Sequence, residues 1–215
     1  MIYSHEIEER RARATYDPGD RVMPEFAGPE YYEEQDEYLV SRGLNPTLAR
    51  HNGWYPSLRA GDSALRIVMP ASPAALNFWQ ARMIEAPSKG LMQKRYQSPH
   101  GARGPAVIVV YPPIIETLDI AIVEGPMDAL AAADAGIVGI SLMGNSPPNV
   151  AIEYILDAFQ GYEFIVVPDR DSYSEAAKTT TKLAARGRAT RLQTILPWKD
   201  LAEVPREKRA GALGL

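Results

Sequence analysis

From Leu118 onward, short apolar runs alternate with stretches long enough for a helix, and each such stretch stops at a glycine. "IAIV" precedes "PMDALAAADA" and Gly136; "IVGISL" precedes "PNVAIEYILDAF" and Gly161; "YEFIVVP" precedes "SEAAKTTTKLAAR" and Gly187; "ATRLQTIL" closes the series. Strands and helices in this order require right-handed crossovers, which predicts an α/β fold with a parallel sheet flanked by helices on both faces. The expected unit spans residues 116–215.

Residues 1–29 read differently. They form a polar arm broken by Pro18, Gly19, Pro24, Gly28 and Pro29, with a short helix expected over "EIEERRARA". Residues 30–115 read as a small α+β unit. "PEYYEEQDEYLVSRG" predicts a helix opened by Pro29 and stopped by Gly43, and Asn45-Pro46 opens a second helix ending near Gly53. "ALRIVMP" and "ALNFWQARMI" predict two strands joined by a proline-containing turn, with "AVIVVYP" as a third strand of the same unit.

At 215 residues with 46% hydrophobic content the chain can bury a sizeable core. It has no cysteine, which excludes disulfides and cysteine-ligated zinc, and His5, His51 and His100 lack ligand spacing. No apolar run is long enough to cross a bilayer and no signal peptide opens the chain, so a cytoplasmic protein with no membrane partner is expected. A net charge of −4 argues against a strongly basic nucleic-acid binder and leaves room for a local basic groove.

The acids at the strand ends carry the functional signal. In an open parallel sheet, ligands bind at the carboxyl ends of the strands. Glu124 ends "IAIV", Asp169 and Asp171 follow "FIVVP", and Asp200 follows the last strand in "LPWKD". Carboxylates gathered on one rim repel one another unless a cation neutralises them. Hard oxygen ligands suit Mg²⁺ or Mn²⁺, ions that bridge substrate phosphates and support phosphoryl transfer. Gly125 is read as permitting a sharp turn and close backbone approach, Pro126 as the helix start, and Asp128 as bonding the turn or reaching a metal's water shell. Taken singly, Asp128 is more simply structural, and "DRD" more simply a turn or N-cap pair before the helix at Ser174. The acids are informative as a set.

At these residues the chain resembles the Toprim domain of bacterial and phage DNA primases, topoisomerases and some nucleases. "VEGPMDAL" is similar to its E-G-x-x-D motif at Glu124, Gly125 and Asp128, and "VVPDRD" to its D-x-D motif at Asp169 and Asp171. "GIVGISLMGNS" resembles the primase glycine loop, with Gly144 in place, and "LPWKDLAEV" the K-D segment, with Lys199 and Asp200. Upstream, "YLVSRGLNPTLARHNGWYP" resembles the helical lead-in of the DnaG-type polymerase core. "FWQARMI" supplies Arg82, and "QKRYQSPHG" supplies Lys94 or Arg95 as the basic counterpart of a P-K-Y-x-x-S-P segment.

The resemblance implies a DNA primase-like nucleotidyltransferase from a bacterium or phage, making short RNA on single-stranded DNA from nucleoside triphosphates with Mg²⁺ or Mn²⁺. Glu124 would be general base or metal ligand, and Asp169, Asp171 and Asp200 would hold divalent ions. Arg82, Lys94, Arg95 and Lys199 would meet nucleotide or template phosphates. The absence of cysteine departs from the family's zinc module and implies a helicase or separate template-recognition protein as partner. Ser174 stands where the family commonly has glycine. A Toprim nuclease and a non-catalytic nucleic-acid-binding replication accessory protein remain the alternative functions. A phosphoacceptor reading of Asp169 leaves the Glu124 turn unexplained.

Overall fold

A computed structural model describes residues 22–58, 64–84, 94–101 and 103–215. Residues 1–21 of the polar arm, and with them the helix expected over "EIEERRARA", lie outside these residues.

The first helix is a 3₁₀ turn at Pro29–Tyr31 running into α1 (Tyr32–Ser41), with a reversal at Gly43. α2 (Pro46–His51) starts as its sequence predicts: the Asn45 side chain accepts from Leu48 N–H at 3.1 Å. A four-stranded antiparallel sheet follows, built from β1 (Tyr55–Leu58), β2 (Leu65–Pro70), β3 (Trp79–Met83) and β4 (Tyr96–Gln97) in that order. β2 and β3 are the two strands expected from the sequence. β1 and β4 are additional edge strands.

The second sheet has five strands in the order β5 (Ile108–Val110), β7 (Val138–Ser141), β6 (Asp119–Val123), β8 (Glu163–Val166) and β9 (Thr190–Leu192). β6 pairs in parallel with β7 and β8, and β8 with β9. α3 (Pro126–Asp134), α4 (Asn149–Ala158) and α5 (Tyr173–Ala184) are the crossovers. β5 corrects one expectation. It lies not in the antiparallel sheet of the first unit but on the edge of the second, antiparallel to β7 with Ile108 opposite Ser141. Its residues alternate between two cores, Val107 and Val109 on one face and Ile108 and Val110 on the other. A strand covered on both faces belongs in a two-sided sheet.

The same alternation runs through the other strands. Ile120 and Ile122 pack with Ile152, Ile155 and Phe159 of the α4 segment, whereas Ala121 and Val123 face α3. α3 is buried from Pro126 to Ala133, and its core continues through Leu39, Trp54, Ile67 and Phe78 of the first unit. A helix buried all round needs small side chains where elements converge, and Ala129, Ala131, Ala132 and Ala133 provide them. The tightest approach is at Gly139 on β7, where an added Cβ would lie 2.2 Å from the Ala129 carbonyl oxygen. Gly139→Ala is therefore expected to lower unfolding free energy by about 1–3 kcal/mol through overpacking, measured by urea denaturation.

Beyond β9 the chain makes 3₁₀ turns at Leu201–Glu203 and Arg206–Lys208, then α6 (Arg209–Leu213). Arg209 is 1% exposed. It donates to Val204 O at 3.0 Å, to Gly43 O at 2.8 Å and to Asp134 Oδ2 at 3.0 Å. It thereby ties the final helix to the end of α3 and to the turn after α1.

Candidate active site at the carboxyl edge of the parallel sheet

Glu124 leaves β6 where the strand ends, and its backbone is held from the neighbouring strand. Its carbonyl accepts from Gly144 N–H and from Ser141 Oγ, each at 3.0 Å. Arg103 fixes the same loop by donating to the carbonyls of Leu142, Met143 (3.1 Å) and Ser146 (3.4 Å). Met143 and Gly144 take left-handed φ values of 52° and 131°, so the loop turns back over Glu124. Asp169 follows β8, and Arg170 N–H bonds Lys199 O at 2.8 Å, drawing the "WKD" segment alongside.

These elements enclose a cavity of about 300 Å³. Glu124, Gly125, Asp128, Gly144, Asp169, Lys199 and Asp200 line one side, and Arg82, Arg95, Tyr96 and Arg42 come from the first unit. Nine of the residues singled out in the sequence therefore meet in one place: Glu124, Gly125, Asp128, Gly144, Asp169, Lys199, Asp200, Arg82 and Arg95. Asp171 is exposed and does not line the cavity, although its charge acts on Asp169. Of the pair Lys94 and Arg95, only Arg95 lines it; the Lys94 carbonyl accepts from Arg66 at 3.2 Å.

Several local readings change. Gly125 has φ −111°, open to any residue, so no glycine-only turn is needed there. A side chain is disfavoured instead because its Cβ would sit 2.9 Å from Asp128 Oδ2. Asp128 is 7% exposed and accepts from Ala202 N–H at 2.9 Å, linking α3 to the 3₁₀ turn that Asp200 caps. Helix α5 starts at Tyr173 with Ser172 in the cap position. Neither acid of "DRD" is therefore its cap, and Ser174 lies inside the helix. Arg82 is 5% exposed, and its guanidinium donates to the hydroxyls of Tyr38 and Tyr96 with its Cζ 4.9 Å from the Tyr96 ring centre. It orders the wall of the cavity through these tyrosines.

Arg42 and Tyr96 are among the lining residues that sequence reasoning passed over. Arg42 is the arginine of the "SRGL" turn, a signal present in the sequence and assigned no task. Its Nε is buried without a hydrogen-bond partner.

Burial and mutual repulsion set the state of the cavity's carboxyls. Burial, then the charges of Glu124, Asp200 and Asp171, push the Asp169 carboxyl up to about 7 against the opposing pull of Lys199. Burial and Asp200 push Asp128 up to about 8, while the Ala202 N–H opposes them. Glu124 Oε1 is buried with no hydrogen-bond partner. Crowded, partly protonated carboxyls with an orphaned oxygen are an arrangement that a cation would relieve. Among the described residues, no group of three or more His, Asp or Glu closes around a metal position by itself. The residues thus fit an ion that keeps water or substrate oxygens, as Mg²⁺ and Mn²⁺ do. Among the described residues, no helix is long and apolar enough to cross a membrane.

No family model matches the sequence, and no curated protein is similar to it. Solved structures are. The chain is similar to the RNA polymerase domain of Mycobacterium tuberculosis primase DnaG, with a TM-score of 0.63 and 14% identity over 97% of this chain and 80% of that one. It is similar to the DnaG primase catalytic domain bound to single-stranded DNA, with a TM-score of 0.61 and 14% identity over 99% and 77%. It is also similar to the primase fragment of the bacteriophage T7 primase-helicase protein, with a TM-score of 0.59 and 16% identity over 82% and 72%. The fold is thus the one found in primase catalytic domains, a Toprim-like parallel sheet flanked by helices and preceded by a small α+β unit.

Proposed function

We propose that the protein is a primase-like nucleotidyltransferase that joins ribonucleotides on a single-stranded DNA template. The observation that carries this reading is the opposition of charges across one cavity. Glu124, Asp169 and Asp200 stand on the sheet edge, and Arg42 and Arg95 on the wall supplied by residues 30–115. Carboxylates alone suit many reactions; carboxylates facing guanidinium groups suit a polyphosphate held by both.

Glu124 accepts the proton of the attacking 3′-hydroxyl. The new bond forms to the α-phosphorus, and the α–β bridging bond breaks to release pyrophosphate. Arg42, Arg95 and Lys199 bind the phosphate oxygens, and Arg82 fixes the Tyr96 side of the wall. Asp169 and Asp200, with Asp171 acting from outside, would hold a divalent ion, Mg²⁺ or Mn²⁺, which when bound would supply charge neutralisation for the triphosphate. A helicase or a separate template-recognition protein is the proposed partner, since the T7 neighbour is a fragment of a primase-helicase.

Incubation with single-stranded DNA, labelled ribonucleoside triphosphates and Mg²⁺ or Mn²⁺ tests the proposal. Template-dependent oligoribonucleotides are expected. Shortened DNA would make the protein a nuclease, and binding without either product would make it an accessory module.

The raised Asp169 carboxyl gives a second check. Its proton must leave before a cation binds, so Mn²⁺ affinity is expected to climb between about pH 5 and pH 8. Calorimetry in buffers of different ionisation enthalpy should show protons released on binding near pH 6. An affinity flat across this range would overturn the role of Asp169.

A further inference from the structure

A second, smaller cavity of about 20 Å³ lies between the ends of β6 and β8 and helix α5. Glu124 lines both this space and the acid cavity, so its side chain stands between them. About 10–15 Å³ suffices for the centre of one water molecule, so the smaller cavity admits one water and no substrate group. Most of its lining is apolar, and its polar side chains belong to Glu124, Asn145 and Thr179.

Thr179 breaks the pattern of its helix. Ala176 and Leu183 pack into the core beneath α5, and Thr179 falls on the same stripe, 4% exposed. A hydroxyl buried there needs a partner. The neighbouring Thr180 and Thr181 donate to the carbonyls of Ala176 and Ala177, each at 2.9 Å. Among the described residues, Thr179 makes no such bond to its helix. Glu124 Oε1 is likewise buried with no hydrogen-bond partner. The strand ends offer it little, because the Ile122 and Val123 carbonyls already accept from Val167 and Leu142 at 2.9 Å each.

We propose that the smaller cavity binds one structural water, which bridges the Thr179 hydroxyl to the Glu124 carboxylate with Asn145 as a third partner. Thr179 is thereby a positioning residue for Glu124. The terminal torsion of a glutamate has no sharp preference of its own. A water held from behind fixes it and leaves the other carboxylate oxygen for the acid cavity. The effect on turnover rests on the reading of Glu124 as proton acceptor; the effect on stability does not.

Two readouts separate these. The first is a urea-unfolding cycle on the full chain in EDTA, without substrate, combining Glu124→Met with Thr179→Val. Each change roughly keeps side-chain volume and removes one end of the bridge. Thr179→Val should raise the unfolding constant about ten-fold more in the parent than in the Glu124→Met chain. The second readout is primer synthesis. Thr179→Val should lower kcat about ten-fold with the nucleotide KM little changed, since a misaligned group slows the step without loosening binding. Thr179→Ser keeps the hydroxyl and should restore most of the rate. Circular dichroism checks folding, and Thr179→Ala takes the place of Thr179→Val in both readouts should the latter fail to fold.

Equal effects of Thr179→Val in the two chains would overturn the bridge. A raised KM at unchanged kcat, or a serine variant as slow as the valine one, would overturn the positioning role. So would a crystal structure with the Thr179 hydroxyl bonded to the Glu175 carbonyl and the cavity dry. A chain that keeps the stability coupling yet makes no oligoribonucleotide would retain this water site and lose the proposed activity. Primer synthesis untouched by Thr179→Val would retain the activity and overturn the inference.

Discussion

A chain carrying Glu124→Gln and Asp169→Asn should lose primer synthesis by on the order of 10³-fold or more while remaining folded. Both changes keep side-chain volume and remove charge, so the loss would reflect chemistry rather than packing. The Asp169 change has an effect on stability with a definite sign. A carboxyl whose folded pKa lies above its unfolded value favours the protonated chain, so it costs stability as pH rises from about 4 towards 7, the value to which Asp169 is pushed. Removing it relieves that cost. In metal-free buffer at pH 8 the double variant should therefore melt higher than the parent. The part of the difference that comes from Asp169 should fade towards pH 3, where that carboxyl is largely protonated in both states. Added Mn²⁺ should reverse the order by stabilising only the parent. A double variant that melts well below the parent at pH 8 would mean these acids support the fold instead.

The second large effect is expected far from the chemistry. Arg209→Ala should lower unfolding free energy by about 3–5 kcal/mol, because it strands a buried partner. The Asp134 side chain is 2% exposed and would keep Arg206 and the Asn45 amide but lose its buried cationic partner, while the carbonyls of Gly43 and Val204 would lose their donor. At this chain length that corresponds to roughly 6–20 °C in melting temperature. Arg209→Lys should rescue little, since an ammonium cannot span three directions as a planar guanidinium does. A double change, Arg209→Met with Asp134→Leu, should be milder than either single change, and a double-mutant cycle would measure the coupling. Additive losses would show that the pair carries no special energy.

The parallel half was legible because its strands and helices differ in period and its helices carry their own stops. Expectation and structure part where tertiary contact decides. β1 contains Pro56, which reads as a break, but an edge strand tolerates proline. β4 is two residues long, too short to show alternation. The run around Ile108 was readable as a strand, yet its sheet depended on the two-sided burial that its unbroken apolar character signals. The acids at 124, 169 and 200 could be placed because strand ends in such a sheet point the same way. Arg82 looked free for phosphate, and nothing local shows that two tyrosines already occupy it. Nothing around Asp134 in the sequence announces Arg206 and Arg209, more than seventy positions later, which pair with it.

The alanine-lined helix that serves both sheets has a consequence for how the molecule comes apart. Its interior belongs to neither half alone, so peeling the halves from each other strips water-averse surface from both at once. The chain should melt in a single step, and the gap between acids and arginines keeps its width while it is intact. The cavity is then a slot of set span rather than a pair of closing jaws.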